Sequence, residues 1–179
     1  MAHVILGMLL ISQQSLYDLI KTFGQTVSLF YSASAGSIKR ALDGLLSRGL
    51  IEVASVDAGA RGRKVYRVTE AGREEFRTWM AGELAGTDTE AAALSRLYFL
   101  GLLAPQERGP VLGRIIESYE SDLARLSALD EQIDARNVPE GYQDVIAYQR
   151  ATLDYGLATQ RFAIAWFRDQ ADRHRQASG

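Results

Sequence analysis

The sequence contains no cysteine, which removes disulfide frameworks, thiolate nucleophiles and thiolate metal ligands from consideration. Histidine is almost as scarce: His3 and His174 stand alone at opposite ends, so no metal cluster is expected. There is no G-x-S-x-G elbow, and the glycine-rich stretch GARGRK lacks both the Walker spacing and a following serine or threonine. Glu74 and Glu75 are adjacent; on a helix they diverge by about 100° and cannot flank one bond. Neither catalysis nor a cofactor is therefore expected. The longest apolar run, Val4 to Ile11, is interrupted by Gly7 and falls well short of the roughly 20 residues a membrane helix needs. With no basic segment before it, it does not read as a signal peptide either, and a cytoplasmic protein without a membrane partner is expected.

Positive charge is also in short supply overall, with a net charge of -2. The two halves differ, however. Residues 1–82 hold 10 Lys or Arg against 7 Asp or Glu, or plus three; residues 83–179 hold 10 against 15, or minus five. Only the first half has a charge suited to nucleic acid.

What that half contains is a series of short amphipathic elements. His3 to Ser12 predicts a helix that is apolar on nearly all sides, hence buried, in part against the C-terminal helices of its own or a second chain. Leu16, Leu19, Ile20 and Phe23 then recur at helical spacing, with Ser15 and Asp18 placed as a capping box and Gly24 as the stop. A further helix is predicted from Ala35 to about Arg48, capped by Ser34 and ended by Gly49 in the left-handed conformation. Its apolar stripe is Ile38, Leu42, Leu45 and Leu46, which leaves a polar face open to a partner. Past Gly49 the period becomes two, and strands from Leu50 to Val56 and from Lys64 to Thr69 flank a turn rich in glycine and arginine. Helix, helix and basic hairpin in that order describe a winged helix-turn-helix of three helices plus a two-stranded wing. A mobile basic tip can follow a phosphate backbone, because each neutralised phosphate releases condensed counterions; the same hairpin can equally be solvated surface.

Four stretches resemble the PadR-like transcriptional regulators: ILGMLLISQQSLYDLIKTF, FYSASAGSIKRALDGLLSRGLIE, the Arg and Lys residues of the wing tip, and YRVTEAGREEFRTW. The family usually has proline after the capping serine and an aromatic after the Ser-Ile pair; here Ala35 and Lys39 stand in those places, so no known operator carries over. SRLYFLGLLAPQE and the two long helical stretches after it resemble the virulence-activator type of C-terminal dimerisation domain. The resemblance implies a mainly α fold, with a winged helix-turn-helix over 1–84 and a long-helix dimerisation and effector domain over 85–179.

The C-terminal half is helical by periodicity. After a helix from Thr69 to about Leu84 and another from Thr89 to Leu103, a rod is predicted from Pro105 to Arg136, with Leu112, Tyr119, Leu126 and Ile133 at seven-residue intervals. A second rod, from Gly141 to Arg173, carries two apolar lines. One is Ile146, Leu153, Leu157, Ile164 and Phe167; the other is Tyr148, Tyr155 and Phe162, with Trp166 beside them. One face can be covered within the chain, and the other needs a second copy about a twofold axis. Leu112, Tyr119, Leu126, Ile146, Leu153 and Phe167 are the expected dimer contacts. Some relatives sense small aromatic or amphipathic compounds, so Tyr148, Tyr155, Phe162 and Trp166 are candidates either for stacking on an effector or for the dimer core.

The sequence is thus expected to encode a homodimeric regulator, a repressor, that binds an operator in double-stranded DNA. Its expected DNA contacts are Ser34, Gly36, Ser37, Lys39 and Arg40 on the recognition helix and Arg61, Arg63 and Lys64 on the wing. Tyr31, just before that helix, can hydrogen-bond a phosphate or pack. The rival reading is a winged domain that binds protein instead of specific DNA.

Overall fold

Residues 1–57, 62–84, 88–134 and 141–178 are described by a computed structural model. The chain forms two compact units, Met1–Arg108 and Gly109–Gly179. That division falls later than the boundary expected at residue 84, because the helix after it packs into the first unit.

In the first unit, α1 (Ala2–Ile11) buries Val4, Ile5, Leu6, Met8 and Leu9 almost completely, as a helix apolar on all sides must. Its cover was expected partly from the long C-terminal helices; within this unit it comes from α3 (Ala35–Ser47), α4 (Glu70–Ala81) and the 3-10 turn Leu100–Leu102. Phe99, the last residue of α5 (Thr89–Phe99), lies against Gly7, where an added Cβ would stand 2.7 Å from the ring.

The helix-turn-helix is α2 (Leu16–Gln25) followed by α3. Each has a reciprocal capping box, Ser15 with Asp18 and Ser34 with Ser37, which satisfies two N-terminal amides apiece. At its C-terminus α3 closes with Gly49 at φ 67, Gly49 N–H donating to Leu46 O and Leu50 N–H to Leu45 O. These are the paired bonds of a Schellman motif, and they turn the chain directly into the wing. The sheet has a third strand beyond the two expected: β1 (Gln14–Ser15) pairs with β3 (Arg63–Val68), and β3 with β2 (Ile51–Asp57), all antiparallel in the order β1-β3-β2. Two residues carry no alternation, so no periodicity could announce β1.

Two ion pairs pin the recognition helix and wing to their neighbours. Arg48, at the end of α3, donates to Glu75 of α4 at 3.0 Å, and Arg63 of the wing pairs with Asp18 of α2. Hydrogen bonds from Arg48 and His3 hold the Glu75 carboxyl below its ordinary pKa, and those from Ser15, helped by Arg63, do the same for Asp18. A carboxylate whose pKa is depressed by folding stabilises the fold above its unfolded pKa and loses that contribution as pH falls through the folded value. Melting temperature is therefore expected to fall below about pH 4, and to fall less steeply when Arg48→Ala removes the first-named partner of Glu75.

The second unit is the greater part of α6 (Pro105–Asp134) and all of α7 (Gln143–Ser178). The rod expected from Pro105 to Arg136, whose last residue lies outside the described residues, carries Pro110 inside it. The two helices pack through Tyr119, stacked on Phe167 at 5.6 Å, and through Leu126, near Gly156, while Leu153, Leu157 and Ile164 are buried on the same side of α7. No helix among the described residues is long and apolar enough to cross a membrane.

Candidate nucleic-acid interface

The polar face of α3 is built by the same spacing that buries Ile38, Leu42 and Leu45: what those positions exclude is left facing solvent. Ser34, Gly36, Lys39 and Arg40 are all exposed there. The two serine hydroxyls are already engaged. Ser34 Oγ accepts from Ser37 N–H at 3.1 Å, and Ser37 Oγ accepts from Ser34 N–H at 3.0 Å. Together they shape the helix N-terminus, where Gly36 is exposed. The nearest group to a Cβ built on Gly36 is the Arg40 guanidinium, at 3.7 Å, so a cation and an exposed amide share one corner of the helix. This is the arrangement that receives an anion.

Lys39 sits one position earlier, and its ammonium donates to Asp43 Oδ2 at 2.6 Å, which raises its pKa. The carboxylate restrains the lysine and cancels its charge locally. No carboxylate among the described residues pairs with Arg40.

On the wing, Gly62 takes φ 70, which lets the chain enter β3. Lys64 is exposed with no ion-pair partner among the described residues. Arg63, also expected to serve phosphates, is paired with Asp18, which fastens the wing to α2. Arg61 lies outside the described residues. Tyr31 stands apart from the set: its hydroxyl accepts from the Met1 ammonium at 2.9 Å and its ring meets Phe23 edge-on, so it packs inward.

Two tyrosines outside the expected set, Tyr17 and Tyr66, stand beside these groups. Tyr17 on α2 is 71% exposed and, with Ile20, Gly62, Arg63, Lys64 and Tyr66, lines a recess between α2 and the wing. Tyr66 of β3 lies on the wing side of the same recess. The signal for Tyr17 was available, since an aromatic residue lies off the stripe of Leu16, Leu19, Ile20 and Phe23.

In the second unit, the residues expected at the dimer interface are already in use. Leu112, Tyr119, Leu153 and Phe167 are buried within the single chain, and Leu126 and Ile146 are half-buried. Part of the seam that repeats every seven residues is met by the other helix of the same chain, Tyr119 by Phe167 and Leu126 beside Gly156. Among the large apolar side chains left uncovered are those of the aromatic line, with Tyr148, Tyr155 and Phe162 exposed by 78%, 75% and 69% and Trp166 by 37%.

Comparison with known proteins agrees with this architecture. Residues 5–78 match the model of the transcriptional regulator PadR-like family, and residues 92–175 match that of the virulence activator alpha C-terminal domain. The chain is 22% identical over 166 residues to the negative transcriptional regulator PadR of Bacillus subtilis, covering 92% of this chain and 91% of that one. It is 25% identical over 179 residues to the probable transcriptional regulator Rv1176c of Mycobacterium tuberculosis, covering 95% of each. Among solved structures, that of Bacillus subtilis PadR in complex with operator DNA aligns over 96% of each chain, at 21% identity and a TM-score of 0.44.

Proposed function

We propose that this chain, whose two halves match domains of the PadR-like transcriptional regulators, a non-enzymatic class, is a homodimeric repressor acting at a specific operator. The observation that carries this reading is the corner of α3 where the Gly36 amide, Arg40 and Lys39 are exposed together, with Lys64 of the wing likewise open to solvent. Each protomer would set α3 in the major groove and lay its wing along phosphates. Two copies would read half-sites about 34 Å apart, or a small multiple of that distance. Specificity would come from Lys39 and Arg40, and affinity from the helix N-terminus and Lys64. Repression is the reading that the name of the Bacillus subtilis relative supports, and a cytoplasmic location follows from the function.

The dimer would form through the line of Tyr148, Tyr155, Phe162 and Trp166, since an exposed row of large aromatic side chains marks an interaction surface. An aromatic or amphipathic effector that entered between the two copies of this line would change the spacing of the recognition helices and so release the operator.

Fluorescence anisotropy with the DNA upstream of the protein's own gene, against a scrambled duplex and across a salt series, tests the proposal. Tight binding to the first alone, weakening steeply with salt, is the expected outcome. Weak binding to both with a shallow salt dependence would overturn it in favour of a protein-binding winged domain. Two variants refine the placement. Lys64→Ala is expected to weaken binding to all sequences alike and to lower the salt slope by about one. Asp43→Asn is expected to tighten binding a few-fold at low salt, because it releases Lys39 from a weak, salt-screened surface pair.

A further inference from the structure

A single oxygen of Glu75, on α4, accepts from two elements that are far apart along the chain: from His3 Nε2 of α1 at 3.2 Å, and from the Arg48 guanidinium at the end of α3 at 3.0 Å. The carboxylate thus ties the start of α1 to the end of the recognition helix. Both His3 and Glu75 are partly sheltered from water, with side chains 32% and 31% exposed. The His3 ring is also held in its plane by Trp79, on which it stacks at 5.1 Å with the two rings 9° from parallel. An ionised carboxylate offers only lone pairs, so a neutral His3 in this contact carries its proton on Nε2.

With His3 neutral, the one carboxylate is matched by the one guanidinium. A second proton on the ring would set two cations on a single oxygen, and the surroundings are already positive. The Met1 ammonium stands at the same helix end, where it donates to Tyr31 Oη at 2.9 Å. The guanidinium of Arg96, a buried residue of α5, lies 4.8 Å from the centre of the Trp79 ring on which His3 rests. His3 is also in the first turn of α1, where the helix dipole opposes a cation. Glu83 and Asp88 line the same hollow, but both are exposed to water, and Asp88 is occupied in capping α5 through Ala91 N–H. Burial holds the His3 pKa below its ordinary value, outweighing the hydrogen bond and charge of Glu75, and Met1 and Arg48 act in the same direction as burial. Such a group stabilises the fold above its unfolded pKa, about 6.5 for histidine, and loses that contribution as pH falls through the folded value.

We propose that His3, Glu75 and Arg48 form a proton-sensitive clasp, which holds the end of the recognition helix against α4 while His3 is neutral and opens when His3 is protonated, weakening the operator complex. The proposal rests on the operator reading above. Arg48 is the C-cap of α3, and the chain turns through Gly49 into the wing directly after it, so freeing Arg48 alters how both reading elements are presented. The expected direction is diagnostic. Acidification ordinarily strengthens DNA binding, because each added cation can neutralise a phosphate; here it weakens it.

The first arm of the test needs no DNA, which keeps its failure distinct from failure of the operator reading. The sequence has 2 tryptophans, and the full-length Trp166→Phe chain leaves Trp79, against which His3 stacks, as the sole reporter. Its emission is followed from about pH 8 to about pH 5, the interval in which histidine titrates. One transition is expected, with its midpoint below the ordinary histidine value. It should vanish when His3→Gln is added, which keeps an uncharged N–H donor for Glu75, and move to lower pH with Glu75→Gln, which removes the charge that favours the protonated ring. In the second arm, operator affinity of the wild-type chain is measured by anisotropy at both ends of that interval and at constant ionic strength. It is expected to fall by about threefold or more on acidification, the scale of one exposed ion pair. His3→Gln should bind alike at both ends, and His174→Gln, which alters the other histidine, should keep the wild-type profile. Emission without a transition, or a transition that survives His3→Gln, would overturn the clasp. Wild-type affinity that is constant or rises on acidification, or an equal fall in the His3→Gln chain, would overturn its coupling to the operator.

Discussion

Gly72→Ala is expected to cost the protein roughly 3 kcal/mol of stability, at the upper end of what one extra methyl inflicts on a packed interior. The Cβ of an alanine there would stand 2.0 Å from Leu50 O and 2.7 Å from Val68 Cγ1. A side chain could swing away; a backbone carbonyl cannot. Leu50 O is fixed because it accepts from Thr69 N–H at 3.1 Å, and Thr69 is fixed in turn, donating to Gly49 O at 2.7 Å and accepting from Gly72 N–H. Through this knot the end of α3, the start of the wing and the first turn of α4 are joined within a few residues. Relief would require α4 to back away from β2, unpacking Phe76 and Met80, which are both fully buried. Urea denaturation of the Gly72→Ala and wild-type chains checks the prediction. A midpoint shift worth less than about 1 kcal/mol would mean that α4 can slide, and that the knot is weaker than its geometry implies.

The knot also shows what the sequence could and could not reveal. Thr69 as a cap and Gly49 as a left-handed stop are local chemistry, decided by a residue and its near neighbours, and both were readable before any coordinates. That Gly72 must be glycine depends on Leu50, far away along the chain, and nothing in TEAGREEF says so. The same division runs through the candidate sites. The open face of α3 follows from its own apolar stripe, and its exposure was legible. The pairing of Arg63 with Asp18 and the engagement of both capping serines were not, because each depends on which group wins a donor in three dimensions. Arg96 was passed over for the same reason: in SRLYF it looks like one more surface charge, and only the meeting of α5 with the end of α4 buries it. The heptad repeat marks a seam between helices, but periodicity cannot say whether the second helix belongs to the same chain. Leu153 at 8% exposure and Phe162 at 69% resolve that question for the single protomer.

Phe162→Glu is accordingly expected to divide the proposed dimer into folded monomers. The side chain has its exposed ring on the aromatic line with Tyr155 and Trp166, so in a lone protomer the glutamate would remain in water at little cost to the fold. In a twofold dimer the same substitution occurs twice, placing two like charges in a desolvated aromatic surface. Leu153→Glu is the contrasting variant. Its side chain is covered by its own chain, and a carboxylate there is expected to unfold the protomer instead of separating two. Light scattering should give half the wild-type mass for Phe162→Glu, with helical circular dichroism preserved. Operator affinity should fall by about a hundredfold or more, since two half-site contacts linked in one molecule would become independent. Wild-type mass and affinity in the Phe162→Glu chain would show that the aromatic line is not the dimer surface and return the four side chains to the role of an effector wall.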